Sequence, residues 1–380
     1  MSRFLTAFLL ALSFTVSAQT APPIAAALPA PTIDATSYLL VDVASNQVLL
    51  AHNSDEPREP ASLTKLMTAY LAFTALREQT IRLDQTVKIS ENAKKAIGSR
   101  MFADPRVPVS VDELLHGMII QSGNDASIAL AELLAGDEAA FAAMMNEQAK
   151  KLGMTKTHFV NSTGLPDPQH YSTAADMAKL AIAVINDFPE YYPLYSQKEY
   201  TYNKITQQNR NRLLKTDPYV DGVKTGYTDS AGWCLIASAK RGERRLLSVV
   251  MGAASDAARA AENQKLLNWG YQAFDVVQLF SAEQSVSKIR VWKGDAPEVN
   301  VGLAKPAYLS VPKGQGDKLK SKMEAQTPLA APVNKGQVVG KVLVQFDDKS
   351  VVELPLTALD DVPPGGFFRR AWDAMRLWFQ

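Results

Sequence analysis

Two short strand pairs stand at opposite ends of a long helical stretch, and this layout restricts the fold more than any other feature of the chain. Tyr38 to Val43 and Val48 to Ala51 flank Ser45-Asn46-Gln47 and read as a β-hairpin. Trp233 to Ala239 and Leu246 to Met251 flank Gly242 and read as a second one. Between them the apolar period is helical: Leu63, Leu66, Met67, Tyr70, Leu71 and Thr74 share one face. Ser110-Val111-Asp112-Glu113 is a capping box that opens a helix running through Ile120, and Ala126 to Ala135 forms a third helix. Strands, then helices, then strands predict an α/β (α+β) domain, an antiparallel sheet assembled from both ends of the segment with a helical cluster between its halves.

After about Phe274 the texture changes to short β-branched runs such as Ser287 to Trp292 and Val338 to Val344, broken by Gly and Pro. This predicts a second, all-β domain over residues 276–362, after a first domain over 33–275. Pro363-Pro364-Gly365-Gly366 then reads as a hinge before a terminal helix within 363–380. On that helix Phe368, Trp372, Met375 and Phe379 form a stripe widened by Phe367, Ala371, Ala374 and Trp378, while Arg369, Arg370, Asp373 and Arg376 fall largely opposite. A helix docked on the core shows the same stripe. Five large aromatics and three arginines favour instead attachment to a membrane surface through residues 367–380, reversible rather than spanning.

Residues 1–18 combine Arg3, an apolar run from Phe4 to Val16 and the small-residue ending Val16-Ser17-Ala18, the pattern of a secretory signal peptide cleaved after Ala18. The run is too short for the ~20 apolar residues of a spanning helix. Residues 19–32, rich in Ala and Pro, read as a flexible mature amino terminus. An exported chain meets oxidising conditions, yet Cys234 is the single cysteine, so no internal disulfide forms. Its place in Trp233-Cys234-Leu235-Ile236 marks a buried strand thiol. His52, His116, His158 and His170 are scattered without ligand spacing, so no metal or other cofactor is expected. Forty basic against 39 acidic residues, a net charge of +1, leave no global field that would gather nucleic acid.

Three short motifs carry the chemistry: S-x-x-K, S-x-N and K-T-G, in that order, the joint signature of penicillin-interacting serine enzymes. Each is weak alone. S-x-x-K recurs at Ser285 to Lys288 and at Ser310 to Lys313, and S-x-N at Ser90 to Asn92. Local structure chooses among them. Ser62-Leu63-Thr64-Lys65 follows Pro60 and precedes a helical face, which puts Ser62 in the first turn with Lys65 beside it at i+3. The two later copies lie in β-rich sequence, where no helix aligns the pair, and Ser90 caps the segment Ala93 to Ile97. Ser122-Gly123-Asn124 falls on a turn between helices. Lys224-Thr225-Gly226 precedes the Trp233 strand as an edge strand would, and its glycine permits close backbone approach to a ligand.

Ser62 Oγ is a poor nucleophile at neutral pH and needs a base within hydrogen-bond reach. Lys65 serves if it is largely neutral, and burial with a second cation nearby, supplied by Lys224, pushes a lysine that way. Ser122 is the natural relay between Lys65 and the leaving amine. Asn124 offers an amide to the substrate backbone, and Lys224 with Thr225 suits a terminal carboxylate. That preference is what makes a carboxypeptidase.

At these residues the chain resembles the low-molecular-mass penicillin-binding proteins, the D-alanyl-D-alanine carboxypeptidases of serine peptidase family S11. Lys151 to Met154, His158 to Leu165 and Gln208 to Asn211 look like that family as well. The resemblance covers residues 33–275 closely and continues more loosely to the end, a layout similar to the type five and six proteins of Gram-negative bacteria. It implies a DD-peptidase/β-lactamase-like fold and removal of the terminal D-alanine from peptidoglycan pentapeptides through an acyl-ester on Ser62. Lys65 then accepts the proton and Ser122 completes the site. The resemblance carries Lys224 over as the substrate-binding lysine, with Thr225 and Gly226 beside it. It places the oxyanion hole at the amides of Ser62 and Tyr227, and Arg259 near the carboxylate pocket; Tyr227 stands where many members have His. It also implies β-lactams as covalent inhibitors and a periplasmic protein held peripherally on the outer face of the inner membrane.

Other readings share these motifs. A D,D-endopeptidase has the same chemistry, although such relatives typically lack the carboxy-terminal extension. A class A β-lactamase needs a deacylating glutamate for which the chain shows no counterpart. A non-catalytic binding module sits badly with an intact Ser62 and Lys65. The sequence leaves the oligomeric state open, a homodimer included.

Overall fold

The computed structural model describes residues 24–378. The segment read as a signal peptide lies outside them, as do residues 19–23 of the stretch read as a mature amino terminus, and Phe379 and Gln380. The chain divides into two compact units, one holding residues up to 276 with 310–314, the other 277–309 and the residues from 315 onward.

In the first unit five antiparallel strands form one sheet. The first hairpin supplies β1 (Ser37–Asp42) and β2 (Gln47–His52); the later segment supplies β3 (Val220–Thr228), β4 (Gly232–Arg241) and β5 (Arg244–Ala253). Their order is β2-β1-β5-β4-β3, so the two ends of the unit meet where β1 pairs with β5, and the Lys224 strand is an edge as expected. Both faces are buried. Leu39, Val41, Cys234, Ile236, Leu247 and Val249 join the helical core on one side. Leu40, Leu235, Ala237, Leu246 and Val250 pack on the other against Leu266, Leu267 and Trp269 of a helix spanning Asp256–Ala273. This three-layer arrangement explains why the strands read as unbroken apolar runs rather than alternating ones. Burying each such side chain contributes roughly 1.5–3 kcal/mol.

The helical layer contains α1 (Lys65–Arg77), α2 (Val111–Ile120), α3 (Asn124–Ala135), α4 (Glu138–Lys151) and α5 (Ala174–Asp187). The capping box at Ser110 and Glu113 is formed in both directions and starts α2 where the sequence places it. Ser90 also caps as expected, accepting from Ala93 N–H, but the helix it opens covers only Glu91–Lys94. Cys234 is fully buried, and burial raises its thiol to about 11.

The second unit is dominated by a six-stranded sheet: β6 (Ser287–Trp292), β7 (Glu298–Gly302), β8 (Leu319–Ala325), β9 (Leu329–Ala330), β10 (Val338–Phe346) and β11 (Lys349–Ala358). The order is β8-β10-β11-β7-β6-β9, antiparallel except for the β6–β9 pair. Asp347 and Asp348, both at positive φ, make the tight β10–β11 turn.

The terminal helix spans Phe367–Leu377. Its polar edge is the docked one: Asp373 is buried and accepts from Lys293 N–H at 2.7 Å, and Arg369 donates to Asp295 O at 2.7 Å. Phe367, Phe368, Trp372, Met375 and Trp378 are exposed. No helix among the described residues is long and apolar enough to cross a membrane.

Candidate active site

Pro60 and a 3-10 turn over Ala61–Thr64 lead directly into α1. Ser62 therefore sits in a tight turn ahead of the α-helix rather than in its first α-turn, with Ala61 at φ +47°. The i+3 geometry is retained, and Lys65 Nζ lies 3.0 Å from Ser62 Oγ. Lys65 is 1% exposed and donates also to Thr163 O at 2.6 Å.

Ser122 lies between α2 and α3 at φ +68°. That backbone delivers its hydroxyl to the β3 edge, where Lys224 Nζ donates to Ser122 Oγ at 2.8 Å and to Thr225 O at 3.1 Å. Asn124 opens α3, but its Nδ2 is committed to Ile97 O at 2.6 Å, while its Oδ1 is buried without a partner. The amide thus has its Oδ1 and the second Nδ2 hydrogen left to engage an occupant. Gly226 is needed for close approach, yet what it approaches is the nucleophile turn. A Cβ there would meet Pro60 O at 3.1 Å and Ser62 N at 3.2 Å.

These residues enclose a cleft of about 330 Å³ lined by Ser62, Ser122, Asn124, Thr225, Gly226, Tyr227 and Arg259. Lys65 and Lys224 reach toward it from beneath the wall. Tyr227 is exposed, its ring tilted on Trp233 and its hydroxyl donating to Asp229. Arg259 is buried, its guanidinium holding Gly226 O, Cys234 O and Asp256. It ties the β3 and β4 backbones together at the wall.

The rest of the lining is Gly98, Ser99, Thr163 to Leu165, Arg210, Thr228 and Trp233; Thr163 to Leu165 and Arg210 fall in the runs that resemble the family, but nothing in the sequence assigns them a role at the site. Ser99 and its neighbours are drawn in by α3, because Asn124 N–H donates to Ser99 O and Asp125 accepts from Met101 and Ala103 N–H. Asn161 was the available signal for the Thr163 turn. One side-chain oxygen of Asn161 accepts from the amides of Thr163, Gly164 and Leu165 and from the Thr163 hydroxyl.

The electrostatics suit a lysine base. Burial first, and then Arg210, lower Lys65 to about 7, against the opposing pull of Asp125 and Glu138. Arg210 is thus a cation acting on Lys65 that the sequence did not point to, beside the Lys224 that it did. Lys224 is likewise held well below the usual lysine range by burial first, and then by Lys65, Arg210 and Arg259. Among the described residues no acidic side chain lines the cleft. A hydroxyl beside a neutral amine, a second hydroxyl beside a second lysine and an anion-friendly wall make a site equipped for acyl transfer from a carboxylate-bearing substrate.

Known proteins share this architecture. The family of D-alanyl-D-alanine carboxypeptidases, peptidase S11, matches residues 24–255, and the carboxy-terminal domain of penicillin-binding protein 5 matches residues 274–364. The chain is 45% identical over 358 residues to the D-alanyl-D-alanine carboxypeptidase DacC of Escherichia coli (strain K12), covering 92% of this chain and 90% of that protein. Penicillin-binding protein 5 from Haemophilus influenzae superposes with a TM-score of 0.86 at 40% identity, covering 88% of this chain and 99% of that one. Penicillin-binding protein 6B from Escherichia coli gives 0.73 at 39% identity, with 86% and 96% covered.

Proposed function

Since the chain belongs to the D-alanyl-D-alanine carboxypeptidase family of serine peptidases, we propose that it removes the terminal D-alanine of peptidoglycan pentapeptides through an acyl-enzyme on Ser62. The observation that carries this reading is the neutral-leaning Lys65 amine 3.0 Å from Ser62 Oγ at the floor of a cationic cleft. Lys65 takes the Ser62 proton as Oγ attacks the penultimate carbonyl. The backbone amides of Ser62 and Tyr227 hold the oxyanion. Ser122, fixed by Lys224, passes a proton to the departing D-alanine nitrogen. The C–N bond breaks, the ester remains, and water releases the tetrapeptide in a second round of the same chemistry. Thr225 and the neighbouring cations receive the terminal carboxylate, and Asn124 Oδ1 accepts from the substrate backbone. A β-lactam opens on Ser62 by the same route and stays as a slow ester. No cofactor enters these steps.

Release of D-alanine is to be measured from a pentapeptide ending in D-Ala-D-Ala, alongside a crosslinked dimer and a chromogenic β-lactam. Release from the pentapeptide with the β-lactam retained is the expected result. Preferential dimer cleavage would establish an endopeptidase instead, and rapid drug turnover a β-lactamase.

The same reading makes the protein an exported, periplasmic one, resting on the outer face of the inner membrane through residues 367–380. The exposed aromatic face of the terminal helix and its exposed Arg370 and Arg376 support this. Deleting residues 367–380 should abolish sedimentation with anionic phospholipid vesicles while leaving pentapeptide turnover unchanged. Undiminished sedimentation would end the anchoring idea.

A further inference from the structure

The proton-accepting amine of Lys65 is held by a carbonyl that must itself be held. Thr163 O lies 2.6 Å from Lys65 Nζ, in a turn with no regular secondary structure. One side of that turn is fixed by Asn161, which accepts from four donors of residues 163–165. The other side is fixed at Ser162, which is fully buried. Ser162 O accepts the hydroxyls of Thr68 on α1 at 2.8 Å and Ser127 on α3 at 2.7 Å. Ser162 Oγ and N–H both donate to one oxygen of Glu138, at 2.7 and 3.3 Å. Glu138 opens α4 and does not line the cleft. It is the one charged member of the clamp.

We propose that Glu138 is a positioning residue for the Lys65 amine: it fixes Ser162 so that the adjoining Thr163 carbonyl meets Lys65 Nζ, and it brings a negative charge to the far side of that turn. The proposal rests on the reading of Ser62 and Lys65 as the acylating pair.

The charges acting on Lys65 come from four elements. Arg210, from the segment before β3, disfavours the ammonium, and Lys224 on β3 is itself pushed down by Lys65. Asp125 on α3 and Glu138 on α4 favour the ammonium. His170, which meets Thr64 Oγ1 at 2.8 Å, is held down to about 4 mainly by burial and is neutral near pH 7. Glu138 thus acts on both the place and the proton of the base. The two carboxylates oppose burial, Arg210 and Lys224, so removing either carboxylate lets the amine lose its proton at lower pH.

The sign follows. A base that works when neutral gives an acylation rate rising with pH through its own pKa, about 7 for Lys65. Glu138→Gln keeps an oxygen acceptor for Ser162 and removes the charge, so the acid limb of the rate profile should move down by roughly half a pH unit. Glu138→Ala should show the same displacement and, with the clamp open, an acylation rate about tenfold lower on the plateau. The measurement is the second-order rate of benzylpenicillin acylation from pH 5 to 9, followed by intact mass. A Glu138→Gln profile that superimposes on the wild type, or an alanine variant that loses rate evenly without displacement, overturns the proposal. Failure of the underlying reading looks different, because the wild type itself would then carry no adduct on Ser62.

Discussion

Ser62→Ala is expected to form no covalent adduct with benzylpenicillin and to release D-alanine from a pentapeptide slower than the wild type by about 10⁴-fold or more. The loss should be chemical rather than structural. Lys65 keeps its bond to Thr163 O when the serine oxygen is gone, and the surrounding core is untouched. The melting temperature should therefore stay within a few degrees. Mass spectrometry and a D-alanine assay on the same preparation decide it: a folded variant that still releases D-alanine at the wild-type rate would falsify the acyl-enzyme on Ser62.

The second large effect is expected at Gly164. Its φ of +82° lies in the left-handed region, which costs a residue with a side chain about 1–3 kcal/mol. A Cβ built there would stand 1.8 Å from Ala61 O and 2.8 Å from Thr64 Oγ1. Both neighbours belong to the turn that carries Ser62, and the nearest atom is backbone, which cannot swing aside. Gly164→Ala should cost about 3 kcal/mol or more of stability and slow benzylpenicillin acylation about 100-fold by displacing the nucleophile from its base. Calorimetry and the acylation rate check the two effects together. Wild-type values for both would mean that the contact between these turns is unimportant.

Much of this architecture was legible in the residues. Both hairpins, the capping box at Ser110, the edge position of Lys224 and the β-branched strands of the second unit follow from local pattern, and each forms where its pattern lies. The helix Asp256–Ala273 was missed. Its face toward the sheet is interrupted by the buried polar residues Arg259, Glu262 and Asn263, so apolar period alone does not mark it. The Ser62–Lys65 spacing and the Ser122–Lys224 meeting were suggested by motif. The contacts that assemble the walls were not, because they are hydrogen bonds between segments distant in sequence: Ser162 to Glu138, Ser99 to Asn124 and Arg259 to Gly226. No periodicity reports such contacts. The terminal helix shows the same limit. Its amphipathic stripe was plain, but a stripe does not say which side docks, and Asp373 with Arg369 turned inward while the aromatic side stayed exposed.

The cluster of Lys65, Lys224, Arg210 and Arg259 around a cleft without a lining carboxylate has a cost while the cleft is empty. Lysines pushed toward the neutral form by burial and by neighbouring cations weaken the fold that holds them, and the native state accepts that weakness because the reaction depends on it. An anionic occupant relieves the repulsion. Whatever enters the site with a carboxylate therefore acts as a folding ligand as well as a substrate or inhibitor, shifting the unfolding equilibrium of the first unit by mass action. A population of this enzyme kept in use is then more resistant to denaturation and proteolysis than one left idle, and its lifetime is tied to the supply of its own substrate.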